Sequence, residues 1–266
     1  MKNILVLVHD DEGQESRLQV ALDVAKTLEA HLTCLHETLI PEFVGSYALQ
    51  GAPLLIAREE GLERLNRPRV EQRLAREGVS VDWIEVTGFA APATEQHLGL
   101  VDLVILSRRL DHDRMPDMVQ LADNLLRRSR KPLLLVPPSA GGLDLHGTAM
   151  VAWDGSAQAE AALTAAVPLL RHAAQVALVQ IEDRPVEVST SDAARYLRRE
   201  GMEVTSATLA PSDYPIPQML LQHGQDIGAT YLVAGAYRHG PTFEKLFGGV
   251  TRHLIRHSPI PVLLAR

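Results

Sequence analysis

Residues 254–264 read LIRHSPIPVLL and residues 126–136 read LRRSRKPLLLV, and this repetition decides the fold. In both stretches, basic residues at a helix end, a serine and a proline lead into an apolar run that is typical of a strand. Arg76-Glu77-Gly78-Val79 also recurs as Arg199-Glu200-Gly201-Met202, again between a helical and a strand-like pattern. Such ordered recurrence indicates an internal duplication. A period this long indicates two whole domains rather than short stacked repeats.

Continuous apolar runs alternate with helical patterns through both halves. Apolar runs without polar alternation are typical of parallel strands covered on both faces, and strand–helix alternation predicts right-handed βαβ units in a doubly wound α/β sheet. The strands are predicted at residues 3–8, 31–36, 81–86, 102–106, 133–136, 148–153, 175–180, 203–208, 231–234 and 262–265. The helices are predicted at residues 15–29, within 57–77, and at 90–98, 118–128, 157–171, 191–200, 217–224 and 249–257.

A turn-rich stretch separates the two halves. Residues 137–143 read PPSAGGL, and prolines and glycines clustered after a strand are typical of a linker. The sequence therefore predicts a first domain over residues 1–138, a linker over 139–147 and a second domain over 148–266. A second irregular stretch, Ile40 to Pro53, is predicted to be a surface loop.

Composition narrows the class of protein. With 266 residues and 46% hydrophobic content the chain can bury two ordinary cores. The net charge of -7 argues against nonspecific nucleic-acid binding, which requires many Lys and Arg contacts to phosphates. The first residues lack the apolar length of a signal peptide and no apolar run approaches a membrane span, so we expect a cytoplasmic protein without a membrane partner. The single cysteine, Cys34, lies in an apolar run and is predicted to be a small buried residue.

An acid follows the opening strand of the second half. Asp154 comes directly after residues 148–153, and Gly155-Ser156 lead into the next helix. A carboxylate in this position can accept hydrogen bonds from a ribose or from an adenine amine. The alternative interpretation is that Asp154 or Ser156 only caps the helix.

A glycine-rich stretch follows the fourth strand of the second half. Residues 235–240 read GAYRHG, and Gly248-Gly249-Val250-Thr251 open the last helix. Consecutive glycines let backbone N–H groups approach an anion, and the helix N-terminus adds a favourable dipole, so a phosphate fits this stretch. Glycine-rich turns are also common wherever a strand passes into a helix. His239 lies inside the stretch, where an orienting or acid–base role competes with that of an ordinary surface histidine.

These residues resemble the universal stress protein family, specifically over the second half and more loosely over the first. Members of that family carry an Asp after the opening strand and a G-x2-G-x9-G-[S/T] nucleotide motif; here Asp154 takes the place of the acid, Gly235 of the first glycine and Gly248 of the third. The resemblance implies an adenine nucleotide, ATP, with or without Mg2+, in the second half. The residues implied to bind it are Asp154, Gly235, Arg238, His239, Gly248, Gly249, Val250 and Thr251.

Two residues depart from the family motif. Arg238 stands in place of the second glycine and Gly249 in place of the Ser or Thr. If the second position requires a positive φ, an arginine there costs about 1–2 kcal/mol. Hydrogen bonds from the arginine guanidinium to a phosphate would stabilise the complex by about 1.5–3 kcal/mol. Because these ranges overlap, the sequence leaves open whether the phosphate site is weakened or rebuilt.

The resemblance also implies an architecture and a role. The fold class is α/β with two similar Rossmann-like domains, each a five-stranded parallel sheet with helices on both faces, packed as a pseudo-dimer through their matching final strands. The implied function is a nucleotide-responsive regulator of stress adaptation, with at most slow ATP hydrolysis and no assigned catalytic residue. The sequence leaves open whether the chain forms a homodimer. It also leaves open two other functions: a nucleotide-free interaction protein of the same fold, and an enzyme of the related adenine-nucleotide α-hydrolase group.

The first half is predicted not to bind nucleotide. Its opening strand is followed by His9-Asp10-Asp11 without a Gly-Ser pair, and residues 107–116 after its fourth strand contain no glycine. His9-Asp10-Asp11 and Asp111-His112-Asp113 could suggest metal ligands, but adjacent loop residues rarely converge on one ion, so we predict solvated loop charges and no metal site. The expected role of this half is to pair with the second half.

Overall fold

A computed structural model gives the fold and describes residues 1–39, 48–88, 90–108, 118–182, 186–236 and 249–266. The strands are β1 Asn3–Val8, β2 His31–Leu39, β3 Val81–Gly88, β4 Leu103–Ser107, β5 Leu133–Val136, β6 Thr148–Trp153, β7 Gln175–Ile181, β8 Val204–Leu209, β9 Ala229–Gly235 and β10 Val262–Ala265. The helices are α1 Gln14–Leu28, α2 Ala48–Leu74, α3 Ala90–Glu95, α4 Met118–Ser129, α5 Ala157–Leu170, α6 Thr190–Arg199, α7 Ile216–Asp226 and α8 Gly249–His257.

All of these strands belong to one sheet. Their order is β3-β2-β1-β4-β5-β10-β9-β6-β7-β8, so each half repeats the same strand order and the two halves meet at β5 and β10. The β5–β10 pair is antiparallel, with Leu134 opposite Leu263, whereas the neighbouring pairs β4–β5 and β9–β10 are parallel. The predicted pair of five-stranded α/β halves, joined through their final strands, is therefore confirmed.

Successive residues of the central strands point to opposite faces of the sheet, which gives the protein two cores. Ile4 and Val6 of β1 join a core covered by α1, α2, α5 and α6. Leu5 and Leu7 join the core on the other face, which α4, α7 and α8 cover, while α3 packs against α4. Both faces are buried, as the continuous apolar runs predicted. Cys34 is fully buried in the first core, as predicted.

The predicted elements match the structure to within one to three residues at their ends, except at the start of α2. This helix begins at Ala48, so the part of the predicted surface loop from Ala48 to Pro53 is helical; residues 40–47 lie outside the described residues. Gly51 and Pro53 favoured a loop, but single-residue propensity is a weak guide inside a long helix. The helix α3 is shorter than predicted and ends at Glu95.

The chain between β5 and β6 is attached to the first half. Ser16 of α1 donates a hydrogen bond from Oγ to the carbonyl of Pro138 at 2.5 Å, and Asp23 of α1 accepts one from the backbone N–H of Leu143 at 2.8 Å. Leu143 and Leu145 are buried in the core that α1 and α5 share. The predicted linker thus packs along the junction of the two halves.

Candidate functional site

The candidate site lies where the strand order of the second half reverses. The strands β6 and β9 are neighbours, with Ala152 opposite Ala234, but α5 leaves β6 over one face and α8 leaves β9 over the other. The divergence of these two helices opens a crevice at the carboxyl ends of the strands, which is where doubly wound folds bind ligands. Asp154 follows β6 and Gly235 ends β9, so the topology places both at this crevice.

Asp154 is oriented by the cap of α5. Its Oδ1 accepts hydrogen bonds from the backbone N–H of Ser156 at 3.1 Å and from the Ser156 hydroxyl at 2.5 Å. Ser156 is the N-cap residue, and its Oγ accepts a hydrogen bond from the backbone N–H of Ala159 at 3.2 Å. Ser156 therefore caps the helix, while the Asp154 carboxylate is held by that cap at the half-buried rim of the crevice.

The segment before α6 packs against Gly155, the residue that follows Asp154. Gly155 has a φ of 67°, and a Cβ at this position would lie 2.7 Å from Cβ of Val186 and 2.7 Å from the carbonyl oxygen of Val188. The indole of Trp153 donates to the same carbonyl at 3.1 Å, and the N–H of Val188 donates to the carbonyl of Gly155. Only glycine satisfies both the left-handed backbone and this close approach.

Gly235 allows α5 to approach the sheet. A Cβ at Gly235 would lie 2.6 Å from the backbone nitrogen of Ala159 and 2.7 Å from the carbonyl carbon of Gln158, so no side chain fits. The sequence pattern pointed to Gly235 as the first glycine of a phosphate loop. The structure shows a packing requirement at this residue, one that draws the first turn of α5 against the end of β9.

The first turn of α8 begins at the same edge of the sheet. α8 connects two parallel strands, β9 and β10, so its amino end lies at their carboxyl ends. A Cβ on Gly249 would meet no atom within 4 Å, Val250 is half-buried and Thr251 is buried. Three predicted site residues, Arg238, His239 and Gly248, lie outside the described residues.

In the first half, a buried arginine fills the corresponding crevice between β1 and β4. Arg17 of α1 has no exposed surface, and its guanidinium donates to the carbonyls of Leu7 at 2.6 Å and His9 at 3.1 Å. It also pairs with the Asp11 carboxylate at 2.9 Å and donates to the hydroxyl of Ser107 at the end of β4. A guanidinium carries five N–H donors, and these acceptors surround it on several sides.

A second set of buried charges lies beside Arg17. The Glu63 carboxylate lies 2.8 Å from Nδ1 of His9 and 3.0 Å from Nε2 of His36, and it accepts the backbone N–H of Asp10 at 2.8 Å. Burial would raise the pKa of Glu63, but the hydrogen bonds from His36 and His9 outweigh burial and lower it. Burial would lower the pKa of His9, but Glu63 and Asp11 outweigh burial and raise it.

The prediction of solvated loop charges at His9-Asp10-Asp11 is wrong for two of the three residues. His9 is 2% exposed and the Asp11 side chain 3% exposed, because each has a buried partner of opposite charge. Asp10 is the exposed member and pairs with Arg69 at 3.0 Å. Asp111-His112-Asp113 lie outside the described residues. Within the described ranges, no three His, Cys, Asp or Glu side chains are placed to share a metal ion.

Sequence reasoning missed Arg17, Glu63 and Glu37. Glu37 of β2 is 1% exposed; its Oε1 accepts the Thr94 hydroxyl at 2.8 Å, while its Oε2 has no hydrogen-bond partner among the residues that the structure describes. Burial raises the pKa of Glu37 to about 7. The available signal was a single acidic residue directly after the predicted strand 31–36, in the sequence LTCLHETL.

These features define a class: a chain of two doubly wound α/β halves in one sheet, with the strand-order reversal of the second half flanked by Asp154 and Gly235 and that of the first half occupied by the buried Arg17. Residues 147–266 match the model of the universal stress protein family. The second half of the chain therefore belongs to the universal stress protein family. A search of curated proteins found no match.

Solved structures share the two-half fold over the full length of the chain. A universal stress protein from Archaeoglobus fulgidus DSM 4304 is 16% identical with a TM-score of 0.74, and the match covers 99% of this chain and 98% of that chain. A protein from Pseudomonas aeruginosa UCBPP-PA14, described as a putative universal stress protein, is 16% identical with a TM-score of 0.65, and the match covers 100% of this chain and 93% of that chain. At these identities the likeness shows the fold alone. In the described part of the chain, every helix is too short or too polar to span a membrane.

Proposed function

We propose that the protein binds an adenine nucleotide, ATP, in the crevice of its second half and acts as a nucleotide-responsive regulator of stress adaptation. The observation that carries this proposal is the difference between the two crevices. Arg17 and Glu160 are each the fourth residue of the helix that follows the opening strand of their half. Arg17 is buried and fills the first crevice, whereas Glu160 is exposed and leaves the second crevice to a ligand.

The polar groups at the second crevice suit the two ends of a nucleotide. The Asp154 carboxylate is an acceptor for a ribose hydroxyl or an adenine amine, and the cap of α5 already fixes its direction. The backbone N–H groups at the start of α8, from Gly249 to Thr251, offer donors and a helix dipole to the phosphates. Because the described residues hold no carboxylate cluster for a metal, Mg2+ would enter with the phosphates.

Calorimetry with ATP tests the proposal. We expect about one nucleotide per chain, and we expect Asp154→Ala to weaken binding by about 10- to 100-fold, the cost of a lost hydrogen bond to a charged group. Asp144→Ala is the matched control, since Asp144 also accepts a backbone N–H two residues ahead, from His146 at 2.9 Å, but precedes β6 at the opposite edge of the sheet. Equal affinities of the wild type and the Asp154 variant would place the nucleotide elsewhere.

A second candidate function is an interaction protein that binds no nucleotide. It is favoured by Arg238, which stands where the family motif has a glycine. The same calorimetry on Arg238→Gly separates the two functions. If the arginine contacts phosphate, the variant binds ATP more weakly and with less dependence on salt. Binding by the variant alone, with none by the wild type, would establish the interaction protein as the better proposal.

A further inference from the structure

Arg108 of the first half holds the carboxyl end of α8 in the second half. It is the first residue after β4, and its guanidinium donates from Nη1 to the carbonyl of Arg256 at 2.8 Å and to that of Ser258 at 2.9 Å. Arg256 lies in the last turn of α8, where carbonyls have no partner within the helix. A cation at this end also interacts favourably with the helix dipole.

The position that corresponds to Arg108 in the second half carries no such donor. The backbone N–H of Arg108 donates to Val136, the last residue of β5, and the N–H of Ala236 donates in the same way to Ala265, the last residue of β10. Ala236 therefore occupies the position of Arg108 in the other half. An alanine side chain has no donor, so this position of the second half cannot hold a helix of the first half as Arg108 holds α8.

We propose that Arg108 is a positioning residue for the nucleotide site and couples that site to the first half. This inference rests on the proposed nucleotide function. α8 carries the candidate phosphate donors at its amino end and the Arg108 contact at its carboxyl end, and its nine residues span about 13 Å. A helix held at one end presents its first-turn N–H groups in a more fixed direction, which reduces the ordering cost of binding phosphate. By linkage, bound nucleotide strengthens the contact with Arg108 by the same factor.

Two variants of the full chain test this coupling. Arg108→Met removes the donors while keeping most of the side-chain length, and Arg108→Lys keeps a charge and a single donor group. Arg198→Met is the control, because Arg198 also donates to a carbonyl, that of Val204 at 3.0 Å, but entirely within the second half and away from α8. ATP affinity is measured by calorimetry, and the protection of residues 103–108 and 249–257 by hydrogen–deuterium exchange with and without ATP.

We expect Arg108→Met to weaken ATP binding by about fivefold or more, the lower end of ordinary coupling between sites. Arg108→Lys should weaken ATP binding by a smaller factor, and Arg198→Met should leave the ATP affinity unchanged. In the wild type, ATP should slow exchange at residues 103–108, and this effect should vanish in Arg108→Met. A role confined to stability would lower the melting temperature without changing the affinity or the ATP-dependent protection, and that result overturns the inference alone. Absence of ATP binding by the wild type overturns the proposed function and, with it, this inference.

Discussion

At Gly235 the absence of a methyl group determines how closely α5 approaches the sheet. The atoms that a Cβ would meet, at 2.6 and 2.7 Å, are backbone atoms of Ala159 and Gln158, which cannot move without displacing the helix. Glycine at this position therefore serves packing, apart from the phosphate-binding role that the sequence motif predicts for it. The two roles can be measured separately, because packing affects the stability of the fold and phosphate binding affects the affinity for nucleotide.

We expect Gly235→Ala to lower the free energy of unfolding by about 1–3 kcal/mol, the usual cost of overpacking. Gly249→Ala is the control, since a Cβ there meets no atom within 4 Å, and alanine is the better helix former. Urea denaturation of both variants measures the difference. Equal stabilities would show that α5 can move aside for the added methyl group.

Glu37 should make stability depend on pH around neutrality. Burial raises its pKa from 4.5 to about 7, so the folded state holds a proton that the unfolded state releases. The stabilising effect of the protonated form is complete below pH 4.5 and is lost as the pH rises through 7, in total about 3 kcal/mol. His9, with a raised pKa, changes stability in the same direction.

Glu37→Gln should therefore reduce the loss of stability between pH 5.5 and pH 8. The amide stays neutral throughout, while the contribution of His9 remains. Urea denaturation at both pH values measures the change. A pH dependence identical to that of the wild type would show that the Glu37 carboxyl titrates near its usual range.

Isolated buried charges, such as Arg17, were the feature of the structure that could not be predicted from the sequence. Arg17 lies in the run QESRLQVALDVAKTL, where one arginine in the first turn is compatible with an exposed face. Its burial depends on acceptors from distant residues, above all Ser107, ninety positions away. The Asp154-Gly155-Ser156 turn was predictable because its partners lie within three residues.

Among the elements, α5 links the fold to the proposed site. Ser156 caps this helix and also directs the Asp154 carboxylate, while Ser189 caps α6 in the same way, accepting from the N–H of Asp192 at 3.1 Å. Either cap contributes about 1 kcal/mol to stability. Only the first lies next to a proposed ligand group, the Asp154 carboxylate.

Ser156→Ala and Ser189→Ala should thus have similar stabilities and different affinities for ATP. We expect about 1 kcal/mol of destabilisation in each, from the lost cap, and weaker nucleotide binding in Ser156→Ala alone, because its Asp154 carboxylate loses a hydrogen bond. Thermal melting and calorimetry provide the two measurements. Weakened binding in both variants would indicate a global effect.

Most elements could be predicted from the sequence, since β1, β5, β6, β10 and α8 have their predicted bounds. These elements combine a clear period with a turn signal at each end. The start of α2 was not predicted because Gly51 and Pro53 are residues typical of loops. The order of the strands required the structure, because apolar periodicity does not specify which strands pair.

At the scale of the whole molecule, the β5–β10 pair makes one sheet of two halves. Leu134 and Leu263 face each other there, and both are fully buried. The chain contains two tryptophans, Trp83 in the first half and Trp153 in the second. Each half therefore carries its own fluorescent reporter.

In urea, Trp83→Phe and Trp153→Phe variants should report the same unfolding midpoint, because the final strand of each half loses its partner across the junction when the other half unfolds. Adding Leu134→Ala to both variants should lower both midpoints equally, because it lowers the free energy of unfolding by about 2–5 kcal/mol. Two separate midpoints, or a shift confined to the Trp83 signal, would show that the halves unfold independently.

The fusion of the two halves in one chain also has an evolutionary consequence. In a symmetric dimer encoded by a single short gene, each substitution appears in both subunits, so a residue that helps one site must be tolerated at the other. A tandem gene removes that constraint. Arg17 could fill one crevice while its counterpart Glu160 left the other unfilled, and Arg108 could reach across the junction while Ala236 did not. Selection could in this way specialise one half for support and the other for ligand.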